Sequence, residues 1–358
     1  MSEYADLEAW GWNARWAAAN AALPPPPGAS PARVVAQERD RWAVRLPAGF
    51  AVARITSAAF PGPLPVAGDW VVVEPGPAPA DPMTVRAVLP RQTAIARGAA
   101  GTGAAEQVLA ANVDVVWIVH GLDAPLNPRR LERYLAAVWE SGALPEIVLT
   151  KADLAANPDD TVREVGALAV GVVVHIVSTA DAAAVERLGA HLRPGSTYAL
   201  LGPSGVGKST LINLLADRTV AAVGEVRRGD RKGRHTTTRR ELFQLSGGAL
   251  LLDTPGLREF RLWALDEGLA QTFPEIHELA ASCRFRDCRH ESEPGCAVLA
   301  AAADGTLDAD RLASYRKLLA EAAYLERKHD PEAQAAAVAK HKTALKTLKY
   351  HPKYRRDG

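Results

Sequence analysis

The sequence predicts a multidomain α/β protein in which a small β-barrel, a parallel sheet with helices on both faces and a cysteine-containing helical segment follow one another. Three observations support this fold class. Short β segments separated by Pro and Gly fill residues 33–88, strand and helix patterns alternate from about residue 108, and all the cysteines lie within residues 283–296. At 358 residues the chain is long for a single core, so two or three domains are expected.

The composition is that of an ordinary soluble globular protein, with 48% hydrophobic and 23% charged residues and a net charge of +1. The charge is unevenly spread, because residues 311–358 carry 12 Lys/Arg against 5 Asp/Glu and residues 218–240 are also basic. Two basic segments indicate a polyanionic partner, although a solvated helix face would give the same pattern. The sequence shows neither an apolar membrane span nor a signal peptide, so we expect a cytoplasmic protein without membrane contact.

The barrel is predicted over residues 33–107. Its five strands are expected at residues 33–37, 41–46, 50–55, 69–73 and 83–88. Five short strands in so few residues fit a closed barrel of the OB type, a fold that often binds nucleic acid. The arginines available for RNA are Arg41, Arg45, Arg54 and Arg86. Residues 1–32 form an N-terminal extension with three tryptophans and a proline run, whose function is not readable.

Residues 108–265 are predicted to form the parallel sheet. Apolar strands are expected at residues 113–119, 146–149, 172–177 and 196–201, with an amphipathic helix over 127–141. Open sheets of this kind bind ligands outside the carboxyl ends of their strands. Polar residues that follow these strands are therefore the candidate binding residues.

The stretch Gly202-Pro203-Ser204-Gly205-Val206-Gly207-Lys208-Ser209 matches the phosphate-binding loop G-x-x-x-x-G-K-[ST] and lies between a predicted strand and a predicted helix. Its glycines let successive backbone N–H groups point at a triphosphate, and the helix N-terminus adds partial positive charge. Lys208 is expected to reach the β/γ-phosphates and to serve catalysis, Ser209 to bind Mg²⁺, and Thr210 to begin the helix beside the nucleotide. A chance glycine-rich turn is the alternative.

The segment Thr150-Lys151-Ala152-Asp153 follows the second strand of the predicted sheet. The Asp153 carboxylate can accept hydrogen bonds from the N1–H and the exocyclic amine of guanine, whereas adenine offers neither donor there. The stem of Lys151 can lie across the purine ring. Alone, this pattern is more typical of a helix cap, but beside a phosphate loop it predicts guanine binding.

Asp253-Thr254-Pro255-Gly256 follows the apolar segment 249–252. We expect Asp253 to hold Mg²⁺, mostly through water, and the Gly256 N–H to contact the γ-phosphate. One threonine between the phosphate loop and Asp253 is expected to close over the metal: Thr237, or its neighbours Thr236 or Thr238. Leu257 occupies the position where many GTPases carry a water-orienting glutamine, so intrinsic hydrolysis should be slow. His235 is the nearest candidate for that catalytic role, or else a plain phosphate or RNA contact.

The cysteines Cys283, Cys288 and Cys296 lie close in sequence with His290 among them. Three thiolates and one imidazole form a closed, tetrahedral structural zinc site, so we expect one Zn²⁺ per chain. The odd cysteine count argues against disulfides, and a cluster of buried free cysteines is the alternative.

The order of these motifs is informative, because the base motif precedes the phosphate loop whereas it comes last in ordinary small GTPases. With a barrel before it and a Cys3His module after it, the sequence resembles the circularly permuted GTPases, in particular the bacterial family of ribosome small-subunit-dependent GTPase A. The resemblance covers roughly residues 33–325. It implies an OB barrel, a circularly permuted P-loop GTPase domain and a zinc-binding domain at 266–328. The basic tail at 329–358 lies outside the family pattern, and the resemblance says nothing about it.

The resemblance also implies function. It implies binding of the small (30S) ribosomal subunit and its rRNA, GTP hydrolysis to GDP stimulated by that subunit, and a role in late subunit maturation. Separately from the resemblance, we expect the protein to be a monomer. Ser178, which follows the third strand, corresponds to a guanine-contacting position, and Thr150 stands where the family often has Asn. A large-subunit GTPase of similar motif order is not suggested by the barrel and zinc pairing.

Two alternatives of other classes remain at this stage. An RNA-binding scaffold that uses GTP as a structural ligand would show no hydrolysis for Lys208→Ala to lose. A P-loop ATPase or kinase acting on a small molecule would let ATP compete equally with GTP, and Asp153 argues against it.

Overall fold

The computed structural model describes residues 4–23, 26–56, 60, 62–78, 81–97, 107–155, 157–217, 240–253 and 266–329. The chain divides into two compact units. The first unit comprises Met1–Ala96 and Val108–Phe260, and the second comprises Arg97–Gln107 and Arg261–Gly358.

The first unit opens with two short helices, α1 (Ala5–Glu8) and α2 (Ala14–Ala21). Asn13 caps α2, because its side-chain oxygen accepts hydrogen bonds from two N–H groups of the first turn. The tryptophans of this segment are buried, and the Trp12 ring packs edge-on against Trp70 at 4.8 Å between centroids. The N-terminal extension, to which the sequence analysis assigned no function, therefore contributes residues to a hydrophobic core.

A closed five-stranded barrel follows. Its strands are β1 (Ser30–Glu38), β2 (Arg41–Leu46), β3 (Gly49–Arg54), β4 (Trp70–Glu74) and β5 (Met83–Val88). They pair in the order β1-β2-β3-β5-β4, and β4 pairs with β1 to close the ring. The predicted barrel is confirmed. Alternate residues fill its interior, among them Val34, Val44 and Val71, because successive side chains of a strand point to opposite faces.

The elements after the barrel begin with a separate two-stranded sheet of β6 (Ala94–Arg97) and β7 (Gln107–Ala111). The remaining elements of the first unit are β8 (Val115–Gly121), α3 (Pro128–Glu140), β9 (Leu144–Thr150), a 3₁₀ turn (Ala152–Leu154), α4 (Pro158–Leu168), β10 (Val173–Ile176), α5 (Ala182–His191), β11 (Thr197–Leu201), α6 (Lys208–Ala216), β12 (Glu241–Gln244) and β13 (Leu250–Asp253). Strands β10, β9, β8, β11 and β13 are neighbours in that order, and all of them are parallel.

Both faces of this parallel sheet are covered by helices, as predicted. On one face Val116 and Ile118 of β8 share a core with Leu131 and Leu135 of α3. On the other face Trp117 of β8 shares a core with residues of α5 and α6. Because both faces are buried, β8 is apolar at nearly every position.

The sequence did not predict β12. This strand lies between the two parts of the sheet: it is antiparallel to β13, and its Glu241 also pairs with Ala36 of β1. The barrel strands and the parallel sheet therefore form one continuous eleven-stranded sheet.

Arg33 of β1 ties the barrel to the parallel sheet. Its side chain is 2% exposed, and Nη2 donates hydrogen bonds to the Asn112 carbonyl oxygen and to the Thr197 hydroxyl, each at 3.1 Å. The guanidinium also lies 4.9 Å from the Trp70 ring centroid. Burial lowers the pKa of Arg33 to about 10, with Asp114 and Asp69 opposing that shift, so the buried group stays charged at neutral pH.

Residues 266–329 of the second unit form α7 (Asp266–Thr272), α8 (Pro274–Ala280), α9 (Ala297–Asp304) and α10 (Ala309–His329), with a non-helical segment at 281–296 between α8 and α9. Arg311 of α10 donates to Glu275 of α8 at 2.6 Å and to the Thr272 carbonyl oxygen at 2.6 Å, which fixes these helices together. In the part of the chain that the structure describes, none of the helices combines the length and the apolar character needed to cross a bilayer.

Candidate nucleotide and metal sites

The predicted phosphate loop lies between β11 and α6. Gly202 begins it with a φ of +155°, and a side chain there would collide with the Val119 carbonyl oxygen of β8. Gly205 and Gly207 also have positive φ, and Gly207 is the N-cap of α6. The chain thus wraps around the N-terminus of a helix, which is the geometry that an anionic phosphate requires.

Lys208 is the first residue of α6, and its ammonium group lies across the loop. Nζ donates to the carbonyl oxygens of Gly202 at 2.7 Å and of Pro203 at 2.6 Å. Ser209 follows in the first turn and is half-buried. A positive charge and a hydroxyl therefore stand at the mouth of the loop, where phosphate oxygens and a bound cation would lie.

Thr150 brings the base motif to the phosphate loop. This residue ends β9 and is fully buried, and its hydroxyl donates to the Val206 carbonyl oxygen at 2.5 Å. The same Oγ1 lies 3.3 Å from the His120 carbonyl oxygen of β8. The two motifs are separated by about fifty residues in sequence, yet the end of one contacts the other.

Lys151 has a left-handed backbone with φ 57° and ψ 38°, and it turns the chain from β9 into the 3₁₀ turn. Its Nζ lies 2.6 Å from the Asp123 carboxylate, in the loop after β8. The hydrogen bond from Lys151 and its positive charge lower the pKa of Asp123. This ion pair holds the aliphatic stem of Lys151 at the carboxyl ends of β8 and β9.

Asp153 lies in the 3₁₀ turn and is exposed. One of its carboxylate oxygens accepts a hydrogen bond from the Ser178 hydroxyl at 2.5 Å. Ser178 follows β10, so the predicted base contacts come from the ends of neighbouring strands and meet each other. The two carboxylate oxygens have further lone pairs, so they can still accept hydrogen bonds from the N1–H and the exocyclic amine of guanine.

Asp253 ends β13, the strand beside the one that leads into the phosphate loop. Leu252 pairs with Ala199 of β11, so Asp253 lies level with the last residues of β11 and is half-buried. The other predicted nucleotide and magnesium residues, Gly256, the threonines Thr236–Thr238 and the candidate His235, fall outside the described residues, as does Leu257.

The four predicted zinc ligands of the second unit lie together. The His290 Nδ1 atom is 3.6 Å from the Cys283 sulfur and 3.4 Å from the Cys296 sulfur, and the ligand atoms of all four residues lie within 4.8 Å of one another. The Cys283 and Cys296 sulfurs are 3.8 Å apart, so they are free thiols and not a disulfide. Three thiols and one imidazole at these distances fit a tetrahedral metal ion, and zinc suits that donor set.

Comparison with known proteins places the sequence among nucleotide hydrolases. The family model for the RsgA GTPase matches residues 88–263. A relative from Opitutus terrae, named small ribosomal subunit biogenesis GTPase RsgA, is 50% identical over 276 residues, which cover 75% of each chain. A relative of the same name from Streptomyces coelicolor is 44% identical over 339 residues, covering 93% of this chain and 91% of its own. The chain belongs to the RsgA GTPase family.

Solved structures of similar fold agree with this assignment. YloQ, described as a circularly permuted GTPase, and YjeQ from Thermotoga maritima each superpose with a TM-score of 0.61 and 24% identity. Each match covers 82% of this chain and more than nine-tenths of the other. As a member of the RsgA GTPase family, the chain is a GTP hydrolase with the circularly permuted order of motifs.

Asp123 contacts Lys151 of the predicted base motif, and the sequence reasoning missed it. It follows an apolar strand, as Asp153 and Asp253 do, and that position was the available signal. It was overlooked because no motif surrounds it, and its pairing with Lys151 depends on two strand ends lying side by side.

Proposed function

We propose that this RsgA-family chain binds the small ribosomal subunit through its rRNA in the cytoplasm. It hydrolyses GTP to GDP and phosphate during late maturation of that subunit, and subunit binding accelerates hydrolysis. The contact between Thr150 and Val206 carries the proposal, because it puts the base motif and the phosphate loop within reach of one nucleotide. The relatives' name, small ribosomal subunit biogenesis GTPase, supports the small ribosomal subunit as the partner.

The residues proposed to hold GTP lie at or shortly after the carboxyl ends of the strands in the sequence. They are Thr150, Lys151, Asp153 and Ser178 at the base, and residues 202–210 with Gly256 at the phosphates. Lys208 neutralises charge on the transferred phosphoryl group, while Ser209, Asp253 and one of the threonines Thr236–Thr238 hold Mg²⁺. Asp253 is placed beside the phosphate loop in a way that supports this role.

RNA binding is assigned to the barrel and to the basic segment around residues 218–240. On the barrel, Arg41 of β2 is paired across the sheet with Arg54 of β3, and both are exposed. Phe50 is 67% exposed, with the Arg45 guanidinium 5.3 Å from its ring centroid. Neighbouring cations and an exposed ring suit phosphates and an unstacked base. Arg86 contributes less, because it is paired with Glu74.

The direct test is hydrolysis by the full chain with and without purified small subunits. Subunits should raise phosphate release from GTP by orders of magnitude, and ATP should neither be hydrolysed nor compete. Wild-type protein whose turnover does not respond to subunits free of contaminating GTPases would refute the proposal. Lys208→Ala with the same subunits is the control for contaminating activity.

Base recognition has its own test in Asp153→Asn. The amide accepts from N1–H of guanine but meets the exocyclic amine with a donor, so GTP affinity should fall by about tenfold or more. Xanthosine triphosphate has a carbonyl oxygen at that position and should bind the variant better than it binds the wild type. Competition binding of both nucleotides measures the exchange, and Asp159→Asn, an exposed residue in the first turn of α4, is the matched control. If GTP affinity is unchanged, Asp153 does not read the base.

A further inference from the structure

A second cluster of metal-binding side chains lies in the first unit, away from the strand ends that form the nucleotide site. Glu146 near the start of β9, His175 of β10 and His191, the last residue of α5, each offer one ligand atom, and these atoms lie within 4.8 Å of one another. Both imidazoles direct Nε2 at the same carboxylate. His175 Nε2 is 3.0 Å from one Glu146 oxygen, and His191 Nε2 is 3.2 Å from the other.

The carboxylate is held in place by a third contact. The Trp117 indole N–H of β8 donates to Glu146 at 2.9 Å, and Glu146 as a whole is 8% exposed. Metal-ligating carboxylates in proteins are commonly oriented by such a hydrogen bond from outside the ligand set. Glu146 is therefore fixed before any ion arrives.

The spacing is close to that of a metal centre. Zinc bonds of about 2.0–2.1 Å at tetrahedral angles place neighbouring ligand atoms about 3.3 Å apart. The two His–Glu separations are already near this value, so an ion needs only small side-chain shifts. The His191 side chain is about one-third exposed, which leaves a route for the ion and room for a water as the fourth ligand.

We propose that Glu146, His175 and His191 form a binding site for a divalent transition ion of the zinc class, separate from the Cys3His cluster and from the magnesium site. Two imidazoles and one carboxylate are the donors that zinc takes where a fourth position stays open. The ion replaces the two N–H···O hydrogen bonds, and each imidazole then carries its proton on Nδ1 and binds the ion through Nε2.

The site joins helix α5 to the two strands that lead to the proposed base residues. Glu146 lies on the strand that ends at Thr150, and His175 lies three residues before Ser178 on β10, the edge strand of the sheet. An ion bound there fixes β10 and α5 to β9. Its expected effect on the protein is a raised melting temperature of the first unit.

The test uses the full chain and Zn²⁺ itself. Wild type, the double variant His175→Gln/His191→Gln and the control His277→Gln are dialysed against the same micromolar free Zn²⁺, and the bound metal is measured by mass spectrometry. His277 is an exposed residue of α8 in the second unit. The double variant should hold one zinc ion fewer per chain than wild type, and His277→Gln should match wild type. This difference does not depend on how much zinc the Cys3His cluster holds.

Other outcomes overturn the proposal. Equal zinc content in the double variant and the wild type means that the cluster is a metal-free hydrogen-bond network. Equal loss in His277→Gln means that zinc binds histidines without a built site. His191→Gln alone, at a helix end, covers the case in which the double variant does not fold, and it should show the same reduced zinc content. In wild type, added Zn²⁺ should also raise the melting temperature of the first unit, and an unchanged value contradicts the proposal.

Discussion

Gly202 packs against β8 so closely that no side chain fits between them. Its φ of +155° is unfavourable for other residues, and an added Cβ would press on the Val119 carbonyl oxygen. Gly202→Ala should therefore destabilise the protein by about 1–3 kcal/mol and weaken GTP binding, because the loop must move to relieve the contact. Urea unfolding and nucleotide titration measure the two effects.

The matched control is Gly166→Ala. Gly166 lies within α4, is exposed, and an added Cβ meets nothing within 4 Å. The same substitution there should stabilise the protein by about 0.5–1 kcal/mol, since alanine is the better helix former. Equal effects at the two positions would show that the loop is not constrained as the structure indicates.

His120 makes the stability of the first unit sensitive to acid. The residue is 7% exposed, and its buried Nε2 has no hydrogen-bond partner among the described residues. Burial and then the charge of Arg130 lower its pKa below the ordinary 6.5, against smaller opposing effects of the Ala124 backbone and Asp123. The unfolded chain therefore binds a proton more readily than the folded one as the pH falls below 6.5.

Stability should consequently decrease as the pH falls below about 6.5. His120→Gln has no group that titrates there and should show a flatter profile of unfolding free energy from pH 7 to pH 5. Denaturant titrations at several pH values measure this, with the exposed His277→Gln as control. Parallel profiles for wild type and His120→Gln would assign the acid sensitivity to another residue.

Single residues were predictable from the sequence when a motif surrounded them. Lys208 and the ligands between Cys283 and Cys296 can be identified from their spacing in the sequence. Phosphate and zinc binding restrict both the residue types and the number of residues between them. Asp123 and Glu146 carry no such pattern. Their partners lie on other strands and are brought near only by the register of β8, β9 and β10.

At the scale of elements, a substitution in α1 shows whether the N-terminal segment, residues 4–23, is part of the hydrophobic core. Leu7 is fully buried among the tryptophans, whereas Leu64 is 61% exposed. Leu7→Ala should cost about 2–5 kcal/mol of unfolding free energy, while Leu64→Ala should stay within about 0.5 kcal/mol of wild type. Urea unfolding of both variants makes the comparison, and a small effect at Leu7 would show that α1 is only loosely attached.

Elements whose residue pattern and flanking turn residues are both visible in the sequence were predicted well. The five barrel strands were recognised because Pro and Gly separate segments of regular alternation, and their observed bounds differ from the prediction by only a few residues. The four-residue β12 has no such signal and is stabilised by β13 and β1. Helix α1 is equally short, and its burial comes from distant residues such as Trp70.

At the scale of the whole molecule, the order of the motifs along the chain does not change where they lie in the nucleotide site. Parallel strands present their carboxyl ends at one edge, so a base motif placed before the phosphate loop reaches the same place as one placed after it. The sequence could therefore predict the ligand. The spatial order β10-β9-β8-β11-β13 required the structure, because many pairings of five apolar segments satisfy the same pattern.

The division into two units separates nucleotide binding from the Cys3His cluster. Every described residue proposed to hold GTP lies in the first unit, and Cys288 lies in the second. Metal binding supplies folding free energy to small zinc modules, so Cys288→Ser should loosen the helices of the second unit. GTP affinity should stay within about twofold of wild type, because residues in independent units act nearly additively.

The effect of Cys288→Ser on the stimulation of GTP hydrolysis by small subunits distinguishes the roles of the two units. If the second unit takes part in subunit binding, Cys288→Ser should lose most of the stimulation of GTP hydrolysis by small subunits, whereas Arg286→Ser, an exposed change in the same loop, should keep it. Nucleotide titration, protease sensitivity and stimulated phosphate release measure the three properties on the same samples. Retained stimulation in a variant whose second unit is protease-sensitive would assign subunit binding to the first unit alone, since the barrel and the nucleotide site would then suffice.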